Sequence, residues 1–405
     1  MKKVKTILLM VGIATVFAIA FTGYYHNRGH DQATPDNTEA TRLKPNDAAA
    51  YLNRGYVYAE KGDYDRAISD YNEAIRLNPN FVGAYYNRGV AYGSKGDLDR
   101  AISDYNEAIR LKPNDAAAYY NRGNAYIKKG DLDRAISDYT EVIRLDPNSE
   151  GAYANRGVAY GSKEDHDRAI SDYTKVIQLN PNNARAYYNR GNSYNSKGDL
   201  DRAISDYNEA IRLNPNYAKA YYNRGYAYHT KGDLDRAISD YTQAIQLNPD
   251  FAESYRKRGI AYDDKGDYDR AISDFNEAIR LEPNFTVAYY DRGLAHRRKG
   301  YLDKAISDYN EAIRQEPNFA EAYFNRGVAY FKKEDYDKAI SDFNEVIRQE
   351  PGFAEAYCNR GNAYEKKGDY NKALADYKTA LRIDPNNHPH AQDAIENLKK
   401  TEQNQ

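Results

Sequence analysis

The chain has 405 residues, with 58 Lys plus Arg against 60 Asp plus Glu, 42 Tyr, no Trp, two Met and one Cys. A net charge of −2 excludes a broad field for capturing nucleic acid. Cys358 has no second cysteine to pair with, so packing must hold the fold in whichever compartment the chain occupies. So biased a composition is the mark of one unit copied many times.

In chain order, the first feature is Lys2, Lys3 and Lys5 followed by an apolar run from Ile7 to Phe21. A positive end before a hydrophobic segment reads as an export signal. Two outcomes stay open. Ala18, Ile19 and Ala20 have the small-x-small form of a signal-peptidase site. Alternatively, the run continues through Gly23 to Tyr24 and Tyr25, and its roughly 19 residues suffice to span a bilayer with aromatic side chains at the interface. Residues 1–25 are therefore expected to be a signal anchor or a signal peptide, placing the rest outside the cytoplasm, either membrane-anchored or secreted. Residues 26–38 read as a polar linker, and residues 39–45 echo the end of a worn partial repeat.

From Pro45 onward a regular period sets in. Pro45, Pro79, Pro113, Pro147, Pro181, Pro215, Pro249, Pro283, Pro317, Pro351 and Pro385 are spaced by 34 residues without a slip. Ten copies of one template fill the intervals, over residues 46–387. Counting Ala48 as position 1 of the first copy, positions 4, 8, 11, 20, 24 and 27 are Tyr51, Gly55, Tyr58, Ala67, Tyr71 and Ala74. These large and small residues at fixed places make the chain similar to the tetratricopeptide repeat family. That resemblance implies an all-α, right-handed superhelical solenoid of antiparallel helix pairs. One departure is systematic: position 7, usually Leu in the family, is Arg in all ten copies, from Arg54 and Arg88 to Arg360.

The helical period agrees with the resemblance. Positions 4, 7, 8 and 11 fall on one stripe of a first helix, and positions 17, 20, 21, 24, 27 and 28 on one stripe of a second. Asn46, Asn80, Asn114 and their equivalents, Asn284 among them, are expected to cap the first helices. Gly62 and Asp63 are expected to break between the helices, with Asp63 and Asp65 favouring the second helix and Arg76 suiting its end. An arginine on a buried stripe needs a counter-charge. Asp at position 23 of every copy, from Asp70 to Asp376, is the expected partner, within a repeat or across to the next. After the last copy, residues 388–405 are expected to form a solvating C-terminal helix and tail, with Ala391, Ala394, Ile395 and Leu398 on its apolar side.

In tetratricopeptide superhelices, the face of the first helix opposite the packing stripe lines a groove. By that resemblance, the candidate peptide-binding residues are at positions 5 and 6. Position 6 supplies Asn53, Asn87, Asn121, Asn155, Asn189, Asn223, Asn325 and Asn359; position 5 supplies Tyr86, Tyr120, Tyr188, Tyr222, Tyr290 and Phe324. A side-chain amide can pair with a peptide N–H and C=O together, so the ladder is expected to hold an extended polypeptide. The position-5 rings offer either ligand contact or packing on neighbouring helices. Lys257 and Asp291 interrupt the ladder beside Arg256, Arg297, Arg298, Asp263 and Asp264, as a neutralised local network or as an anchor for an acidic group. The expected partners are proteins or peptides, with the membrane added if residues 1–25 are retained, and no nucleic acid. Two other readings are a receptor for C-terminal carboxylates and a self-assembling array. The first needs Lys where Tyr188 and Glu253 stand. No phosphate loop, paired zinc-ligand motif or nucleophile elbow occurs, and His388 and His390 straddle Pro389, so neither enzymatic activity nor a metal or cofactor is expected.

Overall fold

The structure, a computed structural model, describes residues 46–385 and 391–396. The expected N-terminal hydrophobic helix, the linker, the partial repeat at 39–45 and the histidines at 388 and 390 lie outside these residues. Twenty helices occupy residues 48–383 as ten pairs, running from Ala48–Glu60 and Tyr64–Leu77 to Ala354–Lys366 and Tyr370–Ile383. Every first helix has 13 residues and every second helix 14, the helix pair of a tetratricopeptide solenoid.

The turns explain this constancy. Position 15 adopts a left-handed backbone, as in Gly62 at φ 76°, so eight repeats use Gly there. Repeats four and nine place Glu164 and Glu334 in the same conformation, at φ 61° and 63°. The next residue is Asp in nine repeats, and each of these accepts a hydrogen bond from the backbone N–H three residues on, as Asp63 does from Arg66. Repeat eight has Tyr301 there and no side-chain cap. At the other end, the residue before each proline leaves the helix for extended backbone, as Asn78 does at φ −136° and ψ 94°.

The first helices start one residue later than their sequence suggests. The capping residue is position 34, not the asparagine at position 33. Asp47, Asp115 and Asn183 cap through their side chains, while Phe81, Ser149, Tyr217, Phe251, Phe285, Phe319 and Phe353 do not. Asn284 is accordingly exposed and lies in the turn, not at the cap. The Pro-Asn pair takes up a full turn before the helix can begin, which displaces the start by one residue.

Packing follows the large-small-large pattern. Tyr71 and its equivalents at position 24 are almost wholly buried, and each lies on the glycine at position 8 of its own repeat. A Cβ added to Gly55 would come within 2.6 Å of the Tyr71 ring, so only glycine admits the ring there. The chain falls into two compact units, residues 1–215 and 216–405. Inside each unit, each second helix packs on the first helix of the following repeat, and most successive first helices also touch one another; no comparable contact joins successive second helices. The first helices therefore form the tighter layer of each unit. At the C-terminal end, residues 391–396 are helical, and Ala391, Ala394 and Ile395 close over Ala373 and Tyr377 of the last repeat.

Candidate functional site

The arginine at position 7 fixes the orientation of each first helix. Arg190 places Nε 2.8 Å from Asp206 Oδ2 and Nη2 2.8 Å from Oδ1, a two-pronged pair within one repeat. The same fork recurs in every repeat, from Arg54 with Asp70 to Arg360 with Asp376. The third nitrogen reaches back to the preceding repeat: Arg88 Nη1 donates to Asn72 at 2.6 Å, and Arg190 Nη1 to Thr174 at 3.0 Å. The guanidinium also lies against the position-4 ring, 5.5 Å from its centroid for Arg54 over Tyr51. In eight repeats the arginine thus ties both its own helix pair and the boundary before it. Burial nevertheless pushes the carboxyls of Asp104, Asp138, Asp274 and Asp342 upward, opposed by their arginines.

Positions 5 and 6 occupy the side of the first helix away from that fork. The structure brings them together in pairs across repeat boundaries. Asn121 Nδ2 donates to Tyr86 Oη at 2.7 Å, Asn155 to Tyr120 at 3.1 Å, and Asn325 to Tyr290 at 3.0 Å. In each case position 6 reaches position 5 of the repeat before it. The charged interruption uses the same slot: Arg256 Nε is 2.7 Å from Asp291 Oδ2. A polar link of one geometry is thus built either from Tyr and Asn or from Arg and Asp.

Where position 5 carries no donor or acceptor, the slot stays open. Asn87 follows Leu52, Asn189 follows Ala154 and Asn359 follows Phe324. These three side chains make no hydrogen bond among the described residues, and all are partly exposed. Asn53, which begins the array, is exposed. This division among the asparagines was missed by reading position 6 alone. The signal lay in position 5 of the previous copy, 35 residues upstream.

The position-5 rings pack inward. Tyr86, Tyr120, Tyr188, Tyr222 and Tyr290 lie 5.8–6.1 Å from the position-24 ring of their own repeat, and Phe324 lies 5.9 Å from Phe343. Later in the chain a second ring joins from position 34 of the same repeat: Tyr222 meets Phe251 at 5.0 Å, Tyr290 meets Phe319 at 4.9 Å, and Phe324 meets Phe353 at 5.0 Å. Burial, then Asp291 and Glu321, push the Tyr290 phenol up to about 12, so it stays protonated.

The charged interruption in repeats six to eight is mostly self-compensated. Besides Asp291, Arg256 contacts Glu253 at 3.1 Å, and Lys257 lies 3.7 Å from the same carboxylate and over the exposed Tyr226 ring. Arg298 pairs with Asp263, and His229 lies 2.9 Å from Asp264. Burial, with Arg256 beside it, pulls the Lys257 ammonium below its ordinary value, and burial pushes the Asp291 carboxyl up against Arg256. Arg297 takes no part in these pairs.

Comparison with known proteins agrees with this architecture. The model described as tetratricopeptide repeat matches residues 116–149, 151–183, 218–251, 252–285, 320–353 and 354–387. A related one, described as TPR repeat, matches residues 55–96, 91–130, 191–232 and 295–334, and a third matches 38–69 and 172–205. No curated protein matches the chain. Among solved structures, the chain is similar to MamA, with 34% identity over 40% of this chain and 94% of that one at a TM-score of 0.39. It is similar to YrrB, described as a TPR protein with an unusual peptide-binding site, with 26% identity over 45% and 95% at a TM-score of 0.42. Yeast Tom70 is 19% identical over 88% of each chain at a TM-score of 0.42.

Proposed function

Because the chain belongs to the tetratricopeptide repeat family, we propose that it is a non-catalytic interaction scaffold holding an extended polypeptide along its first helices. One observation carries this reading. At the same position of the first helix in repeats two and five of one unit and repeat ten of the other, the amides of Asn87, Asn189 and Asn359 are partly exposed and unspent, while equivalent amides are used to couple repeats. An unspent amide offers a peptide group both a donor and an acceptor. Asn121 keeps an acceptor oxygen and a second N–H, whereas Asn155 and Asn325 donate both N–H groups within the protein and keep only the acceptor oxygen, so all three contribute as oriented, secondary contacts. The position-5 rings form the wall beneath the amides.

The test is binding of a pool of extended, C-terminally amidated peptides. Replacing Asn87, Asn189 and Asn359 together by Ala should weaken retained peptides by about tenfold or more. Unchanged binding by that variant contradicts the reading.

The same reading places the repeats outside the cytoplasm, tethered or released. Its support is the sequence of residues 1–25 alone. Among the described residues no helix is long and apolar enough to cross a membrane. N-terminal sequencing of the mature protein decides between the two forms. A first residue near position 21 means release, and an intact Met1 or Lys2 in the membrane fraction means a tether.

A further inference from the structure

Arg297 stands at position 12 of repeat eight, on the face that carries positions 5 and 6. Of the Lys and Arg side chains at positions 5, 6 and 12, Arg256 and Lys257 have carboxylates within ion-pair reach, and Arg297 has none among the described residues. Its Nε is buried and lies beside the hydroxyl of the fully buried Tyr309, without good hydrogen-bond geometry between them. Arg297 as a residue is only partly buried, although its Nε is enclosed. Nearby, Asp291 is held by Arg256, and Asp263 is held through Oδ2 by Arg298 while its Oδ1 is buried without a partner; among the described residues no carboxylate lies within ion-pair reach of Arg297.

A partly desolvated guanidinium with no carboxylate partner favours an incoming carboxylate with two parallel hydrogen bonds. We propose that Arg297 is the specificity anchor of the groove, receiving an Asp or Glu side chain of the bound peptide. This rests on the scaffold reading above and names the partner's chemistry: an extended segment with an acidic residue over repeat eight. Because Arg297 makes no ion pair in the free protein, replacing it removes no internal salt bridge.

The experiment presents an array of amidated random nonapeptides to the wild-type protein and to Arg297→Gln, with melting curves recorded for both. Amidation leaves side-chain carboxylates as the peptide's only carboxylates. Wild type should prefer acidic peptides about tenfold over their Gln or Asn counterparts, and Arg297→Gln should lose that preference at an unchanged melting temperature. Arg297→Lys should keep part of it, through charge without the fork. Retention of peptides with no acidic preference, or an equal preference in the Gln variant, overturns the anchor while leaving the scaffold reading standing. Binding that appears only when the C-terminus is free contradicts the side-chain assignment. No retention of any peptide overturns both.

Discussion

Repeats two to four and repeats seven and eight solve the same boundary problem with different chemistry. In the first region, Tyr86 and Asn121, then Tyr120 and Asn155, join neighbouring first helices through neutral hydrogen bonds. In the second, Arg256 and Asp291 fill the identical slot with an ion pair, and Glu253 and Lys257 crowd in beside them. The helix starts differ in parallel. Asp115 caps with its carboxylate, whereas Phe285 and Phe319 leave the backbone uncapped, and Phe319 packs on Tyr290 instead. The lesson is that a boundary constrains geometry and polarity match, not residue type. A copied template can therefore drift in pairs without losing its register.

Both regions share the Arg–Asp fork, and breaking it should cost most. Asp206→Ala leaves Arg190 largely buried, with 17% of its side chain exposed, and should lose roughly 3–5 kcal/mol by urea denaturation. Next comes the ionic slot. Arg256→Ala strands Asp291, whose side chain is 14% exposed, and should cost about 3 kcal/mol. Combining Arg256→Tyr with Asp291→Asn rebuilds the second region on the pattern of the first and should recover most of that loss; a double variant no better than Arg256→Ala would mean the slots are not equivalent. The neutral slot is weaker: Asn121→Ala should cost about 1 kcal/mol, within the ordinary worth of one hydrogen bond. Smallest is the turn. Glu164→Gly relieves a left-handed backbone at φ 61° and should raise stability by roughly 1 kcal/mol, whereas Gly198→Ala at φ 79° should lower it.

Most of the fold was legible because the period is strict and each position does one job. Tyr71 on Gly55, the Asp63 cap and the Arg54–Asp70 pair all follow from local spacing and charge. The start of the first helix was misplaced by one residue because Asn at position 33 is an equally good cap in isolation. The turn made by Pro79 and Asn80 moves the start to Phe81, a residue with no capping group. The candidate site was half legible. The row of position-6 amides on one helix face is readable in the sequence, but a residue's availability depends on its neighbour one copy earlier. Leu52, Ala154 and Phe324 carry that information, and it becomes visible only once successive helices are laid side by side.

That dependence can be tested by giving every open amide a partner. The variant Leu52→Tyr, Ala154→Tyr, Phe324→Tyr supplies hydroxyls to Asn87, Asn189 and Asn359 in the slot that Tyr86 and Tyr120 already fill. Peptide affinity measured by titration should fall by about tenfold while the urea midpoint rises. A variant that gains stability yet binds peptides as tightly as the wild type would show that those amides do not hold the ligand.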